Sequence, residues 1–309
     1  MTLGEDGLRA RIEAALDAPM HDGVRAFAAE LGREAGALAV LFYGSNLRTG
    51  SLDGVLDFYV LLPGAQRERI WPRVSYRERE HDGAILRAKI ATMSLEQFHR
   101  AASGRSRDTT IWARFVQPSA LAWSRGKDAR EAVVAAIAAA ARTAGRLAAA
   151  LGPREGAAAD YWRALFRATY RAELRVEKPG REDSILSVNA PHFDGLLPLA
   201  WKAQGIAFER HGETLAPRLG EGERREVLRW WTLRRRLGKP LNIARLLKAS
   251  TTFEGAARYA AWKVERHTGV AVELTPWRER HPVLAAPGVL FKVWRHRRRG
   301  GAPDGPAQK

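Results

Sequence analysis

The chain contains no cysteine, so disulfide bonds, thiolate metal ligands and a cysteine nucleophile are excluded. A protein without disulfides fits a reducing cytoplasm. Histidines do not replace the missing thiolates, because His192, His211, His267 and His281 lack the close spacing of zinc ligands. No P-loop, nucleophile elbow or dinucleotide-binding glycine fingerprint is present. Any chemistry of this chain must therefore use another kind of site.

Long apolar runs are also missing. The most apolar helical stretch, 132–141, spans ten residues before Arg142 interrupts it, which is about half of a membrane span. The N-terminal stretch 1–17 carries acids early and has no apolar core segment, so no secretory signal is predicted. We therefore expect a protein that is soluble or peripheral to a membrane.

Acidic residues are scarce relative to basic ones, with 34 Asp and Glu against 51 Lys and Arg, a formal net charge of +17. This balance indicates a polyanionic partner such as a nucleic acid, a nucleotide or an anionic membrane. Between Arg280 and Pro303 there is no acid, and the six basic side chains there adjoin an apolar segment with Phe291 and Trp294. This pattern is typical of a segment at an anionic bilayer, and a solvated basic terminus is the alternative.

The composition supports an extensive core, since 46% of the 309 residues are hydrophobic and ten are tryptophan. Helical and strand-like patterns mix in the first part of the chain, whereas helical periodicity predominates after it. We predict an α+β protein with a small mixed sheet and flanking helices, a mainly helical second domain and a basic C-terminal tail. The predicted units are the sheet domain 1–126, the helical domain 127–250, a membrane-facing segment 251–299 and a disordered tail 300–309.

Local patterns predict most of the elements. Two amphipathic helices are expected within 5–36, and a capping box at Ser94 is expected to open a helix after a strand over 84–93. The charged stretch 65–82 is expected to be exposed. Three more predictions concern the later chain: an edge strand or irregular piece over 111–123, a helix over 158–176, and a basic helix over 221–237 that ends at Gly238-Lys239-Pro240.

The most informative stretch is 37–62, in which two apolar runs flank a polar segment. The first run ends at Gly44-Ser45, where glycine permits a sharp turn and a close approach to a ligand. Ser45 adds a hydroxyl and an N–H group at a predicted helix N-terminus, which suits a phosphate. Asp57 lies in the second apolar run, where a carboxylate costs free energy unless it is paired or bound to a metal. A plain hairpin-like turn with a paired Asp57 is the alternative.

This layout resembles the nucleotidyltransferase fold, in which Gly-Ser is followed, after a similar gap, by Asp-x-Asp or Asp-x-Glu that holds magnesium. Gly44, Ser45 and Asp57 match that pattern, whereas Tyr59 stands at the position of the second acid. The later segments RAKIATMS, WARFVQP, LFRATYRAELRVE and KASTTFEG widen the match. In this order they resemble the mitochondrial translocator-maintenance type of CDP-diacylglycerol synthase, or phosphatidate cytidylyltransferase, and its bacterial relatives.

The resemblance implies a peripheral membrane enzyme that uses magnesium to convert CTP and phosphatidic acid into CDP-diacylglycerol and pyrophosphate. It implies no nucleic-acid partner, a cytoplasmic location on the inner face of a membrane, and leaves oligomerisation open. The family tolerates a hydrophobic residue at the second acid position, so another acid must help Asp57. The implied catalytic residues are Asp57 and Lys89, and Lys89 could pair with the triphosphate. The residues implied in nucleotide and phosphate binding are Tyr43, Gly44, Ser45, Asn46, Arg114, Tyr170 and Arg175, and the implied metal ligands are Asp57, Asp53 and Glu173.

Several of these residues also have an interpretation that involves no function. Asp53 beside Gly54 is typical of a turn, and Lys89 fits an exposed strand face. Tyr170 and Glu173 lie one turn apart on the predicted helix 158–176 and face the same way, and a surface ion pair would explain Glu173 equally well.

Two other functions are compatible with the sequence. A nucleotidyltransferase could act on RNA or a small molecule, with the basic helix and its paired Trp230 and Trp231 as the RNA-binding element. An inactive relative that lacks the second acid could instead be a basic lipid- or nucleic-acid-binding module.

Overall fold

The computed structural model describes residues 3–173 and 180–277, and the predicted α+β class is confirmed. The helices are α1 (Leu3–Leu16), α2 (Asp22–Glu34), α3 (Ser45–Thr49), α4 (Leu95–Ala102), α5 (Thr110–Phe115), α6 (Lys127–Leu151), α7 (Ala158–Ala172), α8 (Arg181–Val188), α9 (Ala190–Phe193), α10 (Leu196–Lys202), α11 (Glu221–Thr252) and α12 (Ala256–Thr268). The strands are β1 (Ala39–Tyr43), β2 (Leu56–Leu62), β3 (Arg73–His81), β4 (Ala84–Ser94), β5 (Ser119–Ser124), β6 (Gly156–Ala157), β7 (Phe208–His211) and β8 (Thr214–Pro217).

The larger sheet is mixed, as predicted, and has the strand order β3-β4-β2-β1-β5. Strands β2 and β4 are parallel, whereas the other neighbouring pairs are antiparallel. The smaller sheet has the order β6-β8-β7. The larger sheet places the end of β1 beside the start of β2 and the middle of β4.

Helices cover both faces of the larger sheet. On one face, α2 buries Val24, Phe27 and Leu31 against Phe42 and Phe58. On the other face, α1, α4, α5 and α6 pack on alternate residues of the same strands. The two predicted N-terminal helices are therefore confirmed, because each has one apolar stripe that a different sheet face covers.

One core connects residues on both sides of the predicted boundary at 126/127. Val133, Ile137 and Leu147 of α6 belong to the same buried cluster as Leu41 and Tyr59 of the sheet. The division into domains stays a prediction. In the described residues, α6 is the one helix long and apolar enough to cross a membrane by length and composition. Two thirds of its most apolar window is buried within the protein, as in the core helix of a globular fold.

Two segments contain more regular structure than the sequence indicated. Residues 65–82 include β3, which lies at the edge of the sheet. Its many charged side chains do not give the apolar pattern from which a strand is predicted. Residues 111–123 contain most of α5 and, after Pro118, most of the edge strand β5. The edge-strand prediction is thus confirmed after the proline.

Helix α11 does not end at Gly238-Lys239-Pro240 but continues to Thr252. Gly238 is buried against the carbonyl oxygen of Ala172, where a Cβ atom would not fit. This glycine permits close packing of α11 on α7, so it does not mark a helix end. Packing along the rest of the helix outweighs the one backbone hydrogen bond that Pro240 removes.

Helix α7 ends earlier than expected, at Ala172 instead of residue 176. Glu173 follows it with an extended backbone, at φ −95° and ψ 157°. Tyr170 and Glu173 therefore do not share one face of a helix. Arg175 and the predicted C-terminal tail after residue 277 lie outside the described residues.

Candidate nucleotide site

Three residues singled out in the sequence lie side by side across the larger sheet. Asp57 of β2 pairs with Tyr43 of β1 on one side and with Lys89 of β4 on the other. Residues that are paired in neighbouring strands project from the same face of a sheet. The fold therefore brings a carboxylate, an ammonium group and a phenol together at the start of β2.

The turn after β1 brings the backbone of Gly44 against Asp57. Gly44 has φ +93°, a conformation that favours glycine, and a Cβ atom there would lie 3.0 Å from Oδ2 of Asp57. Ser45 then opens the short helix α3 and is exposed. The corner therefore leaves the backbone and the Ser45 hydroxyl accessible beside the carboxylate.

Asn46 braces the loop that leads into β2. Its buried side-chain amide donates to the backbone oxygens of Ser51 at 2.9 Å and of Asp53 at 2.8 Å. The N–H of Asp53 donates to Oγ of Ser51 at 3.0 Å, and Asp53 is exposed. Asn46 thus fixes the loop, and Asp53 has the turn geometry of the alternative interpretation.

The charges at the site perturb one another. Burial raises the pKa of Asp57, although the charges of Lys89 and Arg114 oppose this shift. Lys89 is an exposed residue, as the alternative of an exposed strand face predicted, but burial around its ammonium group lowers its pKa, and the charge of Asp57 counteracts this effect. Asp57 and Lys89 are therefore less stable as ions than fully solvated residues of the same type, which a bound ion or phosphate would reverse.

Arg114 of α5 connects this site to α7. Its guanidinium group lies 5.4 Å from the centre of the Tyr43 ring. Burial alone would lower the pKa of Arg114, but Tyr43, Tyr59, Glu173 and Asp57 raise it overall. Within 3–173 and 180–277, Arg114 makes no side-chain hydrogen bond. Its N–H groups are therefore available to an anion.

Two more candidate residues come from the end of α7: Tyr170 in its last turn, and Glu173 directly after it. Glu173 lies near Arg114, and Tyr170 is held by aromatic packing. Glu173 is buried, and Oγ1 of Thr109 donates to its Oε1 at 3.3 Å. The half-buried Tyr170 stacks on Phe166 with ring centres 6.4 Å apart. Glu173 therefore neutralises part of the charge of Arg114.

Helix α12 contributes cations that the sequence did not reveal. The N–H of Tyr76 in β3 donates to the oxygen of Glu254 at 2.8 Å, and the rings of Tyr76 and Tyr259 lie 5.4 Å apart. On the same side of α12, the charge of Lys263 lowers the pKa of Lys89. A guanidinium nitrogen of Arg266 lies 3.7 Å from where a Cβ of Gly54 would be. Only the long-range docking on β3 places these side chains at the site, so local patterns could not identify them.

The protein could supply only one or two carboxylate ligands to a magnesium ion at this site. Among the described residues, no group of three His, Cys, Asp or Glu side chains converges on one point. Magnesium is often held by one or two carboxylates, with waters and substrate phosphates completing its shell. Asp57 beside a phosphate-accessible glycine turn meets that requirement.

Comparisons of the chain with models of protein families and with curated proteins found no match. The residues of the site therefore carry the information about function. One carboxylate, a glycine turn and the cations Lys89, Arg114, Lys263 and Arg266 suit a polyphosphate with a divalent ion.

Proposed function

We propose that this protein has the nucleotidyltransferase fold and is a peripheral-membrane phosphatidate cytidylyltransferase. It would transfer the cytidylyl group of CTP to phosphatidic acid, with CDP-diacylglycerol and pyrophosphate as products. The observation that carries the proposal is the contact between the Gly44 turn and Asp57, with Lys89 paired beside the carboxylate. The same arrangement was expected from the resemblance of the Gly-Ser and Asp motifs.

The reaction needs little proton transfer from the protein. A phosphate oxygen of phosphatidic acid attacks the α-phosphorus of CTP, and the bond from this phosphorus to the oxygen of the pyrophosphate breaks. The attacking oxygen is already anionic, so no strong general base is required. The main task is to hold two anions together, which positive groups accomplish by electrostatic stabilisation.

Each residue has a role in this scheme. The backbone of Gly44 and the hydroxyl of Ser45 bind the triphosphate, which Lys89, Lys263 and Arg266 surround. When bound, magnesium neutralises the charge of the phosphates and of the leaving group, and Asp57 would hold it. Asp53 and Glu173 stay proposed as additional carboxylates, with smaller contributions because Asp53 is exposed and Glu173 accepts a hydrogen bond from Thr109.

The outward face of α11 supports the membrane part of the proposal. Between Glu226 and Glu254 there is no acid. The outward face exposes Leu233, Ile243, Leu246 and Leu247 together with Arg235, Arg236 and Lys239. Exposed aliphatic groups beside cations match the chemistry of an anionic bilayer surface.

The alternative of an RNA acceptor loses its main support. Trp231 is buried, and Trp230 and Trp231 pack on Trp112 with ring centres 6.0 and 6.2 Å away. Nε1 of Trp230 also donates to the oxygen of Gly104 at 3.1 Å. These indoles serve the core, so they do not form a platform on which RNA bases stack.

The proposal is tested with labelled CTP, magnesium and vesicles that contain phosphatidic acid. We expect labelled CDP-diacylglycerol from the wild type, a loss of about 100-fold or more for Asp57→Asn, and a smaller loss for Asp53→Asn. Asp82→Asn is the matched control, because Asp82 is exposed and asparagine tolerates its positive φ. Product formation that survives Asp57→Asn would remove Asp57 from the mechanism.

A further inference from the structure

A small cavity lies next to the candidate nucleotide site, between α5, the sheet and α11. Its volume is about 150 Å³. At about 30 Å³ for each water, it has room for roughly five waters, and hence for a phosphate group. The lining residues most relevant to binding are Tyr59, Thr110, Arg114, Asn242, Arg245 and Lys248.

Tyr59 supplies a hydrogen-bond donor that the protein leaves unused. The residue is fully buried, and within the described ranges its Oη atom has no hydrogen-bond partner. Its ring is fixed by Tyr43, Phe98 and Phe115, with ring centres 6.1, 5.8 and 5.3 Å away. Buried hydroxyl groups are normally hydrogen-bonded, so the unpaired group at this cavity points to a ligand.

Cations surround the same cavity. Arg245 is oriented by bonds from Nε to the oxygen of Trp71 at 2.8 Å and from Nη1 to Oδ1 of Asp108 at 2.7 Å. Lys248 forms an ion pair with Glu68. Arg114 lines the cavity, and its N–H groups remain available. The protein thus holds its cations in place before an anion arrives, which lowers the entropic cost of binding.

We propose that this cavity binds the phosphate monoester of the acceptor, with Tyr59 Oη and Arg114 as direct donors. The inference rests on the proposed function and specifies where the second substrate binds. Asp57 and Tyr59 project from the same face of β2 and are about 7 Å apart along the strand. Arg114 lines the cavity and also interacts electrostatically with Asp57 and Tyr59, so it connects the cavity with the candidate nucleotide site.

The position of Tyr59 has a chemical consequence. Burial raises the pKa of this tyrosine, so the hydroxyl keeps its proton at neutral pH and can only be a donor to a phosphate dianion. In the nucleotidyltransferase pattern an acid stands at this position. Replacement of that acid by a donor removes a negative charge from the space where an anionic acceptor must enter.

The first experiment measures thermal unfolding with inorganic phosphate and, separately, with soluble short-chain phosphatidic acid. Both ligands should raise the Tm of the wild type, because they bind the folded state only. Tyr59→Phe should have an unchanged or higher Tm without ligand, since it removes an unpaired hydroxyl, and a smaller shift with ligand. Tyr161→Phe is the matched control, because its hydroxyl donates to the oxygen of Leu215 at 2.7 Å away from the cavity.

The control should have a lower Tm but the same ligand-induced shift as the wild type. Equal shifts in the wild type and Tyr59→Phe would overturn the proposal, and so would the absence of any shift. A Tyr59-dependent shift with inorganic phosphate but not with phosphatidic acid would identify a free-phosphate site and overturn the acceptor assignment. These results do not depend on turnover, so a failure of the proposed enzymatic activity is recognised separately.

The second experiment separates the two substrates by kinetics. Tyr59→Phe should raise KM for phosphatidic acid by about 10- to 100-fold, the effect of one lost hydrogen bond to a charged group, and leave KM for CTP unchanged. Ala249→Leu, which narrows the cavity from α11, should have the same selective effect. An increase in KM for CTP instead would assign the cavity to the nucleotide and overturn the proposal.

Discussion

Asp57 is a carboxylate whose ionised form the folded protein disfavours. Burial raises its pKa more strongly than Lys89 and Arg114 lower it. A group that destabilises the fold and lies beside a glycine turn is typical of a functional position, where stability and activity oppose each other. This conflict yields a prediction about stability that does not require an activity assay.

Asp57→Asn should raise the Tm at pH 7. The folded-state pKa lies above the unfolded value, so the wild type loses stability as the pH rises from that unfolded value, about 3.9, through the folded pKa. Asparagine has no such loss. The Tm difference should therefore be positive at neutral pH and shrink as the pH falls, as measured by thermal unfolding across pH. Magnesium with CTP should stabilise the wild type but not this variant.

Asp82→Asn serves as the control for this pH series, since Asp82 is exposed and a comparable change there should leave the Tm nearly constant. A lower Tm for Asp57→Asn at pH 7 would mean that the ionised carboxylate stabilises the fold. The assignment of Asp57 as a strained metal ligand would then be wrong.

At single positions, the sequence predicted the parts of the site that are local. The spacing from Gly44 to Asp57 could be recognised because one turn and a short loop connect the two strands. Lys89 was expected from the family resemblance, and its strand β4 pairs with β2 although β3 lies between them in the chain. The role of Asn46 as a loop brace and the unpaired hydroxyl of Tyr59 depend on neighbours distant in sequence. Burial among such neighbours leaves no local signature.

At the level of elements, α11 connects the cavity to the outer surface. Asn242, Arg245 and Lys248 line the cavity, whereas Ile243 and Leu247 project from the opposite side of the helix. Gly238 permits the helix to pack on the end of α7 next to Glu173. The position of this one glycine therefore affects both the cavity and Glu173.

Gly238→Ala should destabilise the protein by about 1–3 kcal/mol, because the added methyl group would overlap the carbonyl of Ala172. Gly222→Ala in the same helix is the matched control, with no atom within 4 Å of its added Cβ. There we expect stabilisation by up to about 1 kcal/mol, from the higher helix propensity of alanine. Chemical denaturation measures both, and equal effects would contradict the close packing of α11 on α7.

The elements that the sequence misassigned share a physical cause. A glycine and a proline close together indicate a helix end, but in α11 the glycine satisfies a contact with α7 that is remote in sequence. The charged strand β3 has β4 as its one neighbouring strand in the sheet, so it needs no continuous apolar run. In contrast, α1 and α2 could be predicted from the sequence, because each buries one stripe of side chains against the sheet.

At the scale of the whole molecule, positive side chains lie at both places where the proposed function needs them. Lys89 of β4 and Arg114 of α5 act on Asp57, and Lys263 of α12 acts on Lys89. Cations of α11 flank the exposed aliphatic residues of that helix. An enzyme that joins a soluble nucleotide to a lipid must face both water and a bilayer. The outward face of α11 is the membrane-binding surface that this arrangement predicts in the described residues.

The double variant Leu246→Glu, Leu247→Glu tests this surface. The two leucines are 60% and 66% exposed, so the fold should not depend on them. Burial of one leucine contributes about 1.5–3 kcal/mol, so even partial insertion of both gives at least about a 10-fold loss of binding when it is abolished. Co-sedimentation with phosphatidylcholine vesicles, with and without phosphatidic acid, measures the effect, and CTP binding should not change.

Ile85→Glu is the matched control, because Ile85 is 50% exposed on β4 but does not belong to α11. It should bind vesicles like the wild type, whereas Arg235→Gln with Arg236→Gln should weaken binding mainly at low salt, as expected for screened charges. Analytical ultracentrifugation tests whether a second copy of the chain covers this face instead of a membrane. If the leucine variant dissociates an oligomer and still binds vesicles, the face is a contact between copies of the chain and the membrane assignment is wrong. If it loses vesicle binding without a change in mass, the apolar residues of α11 contact the lipid themselves.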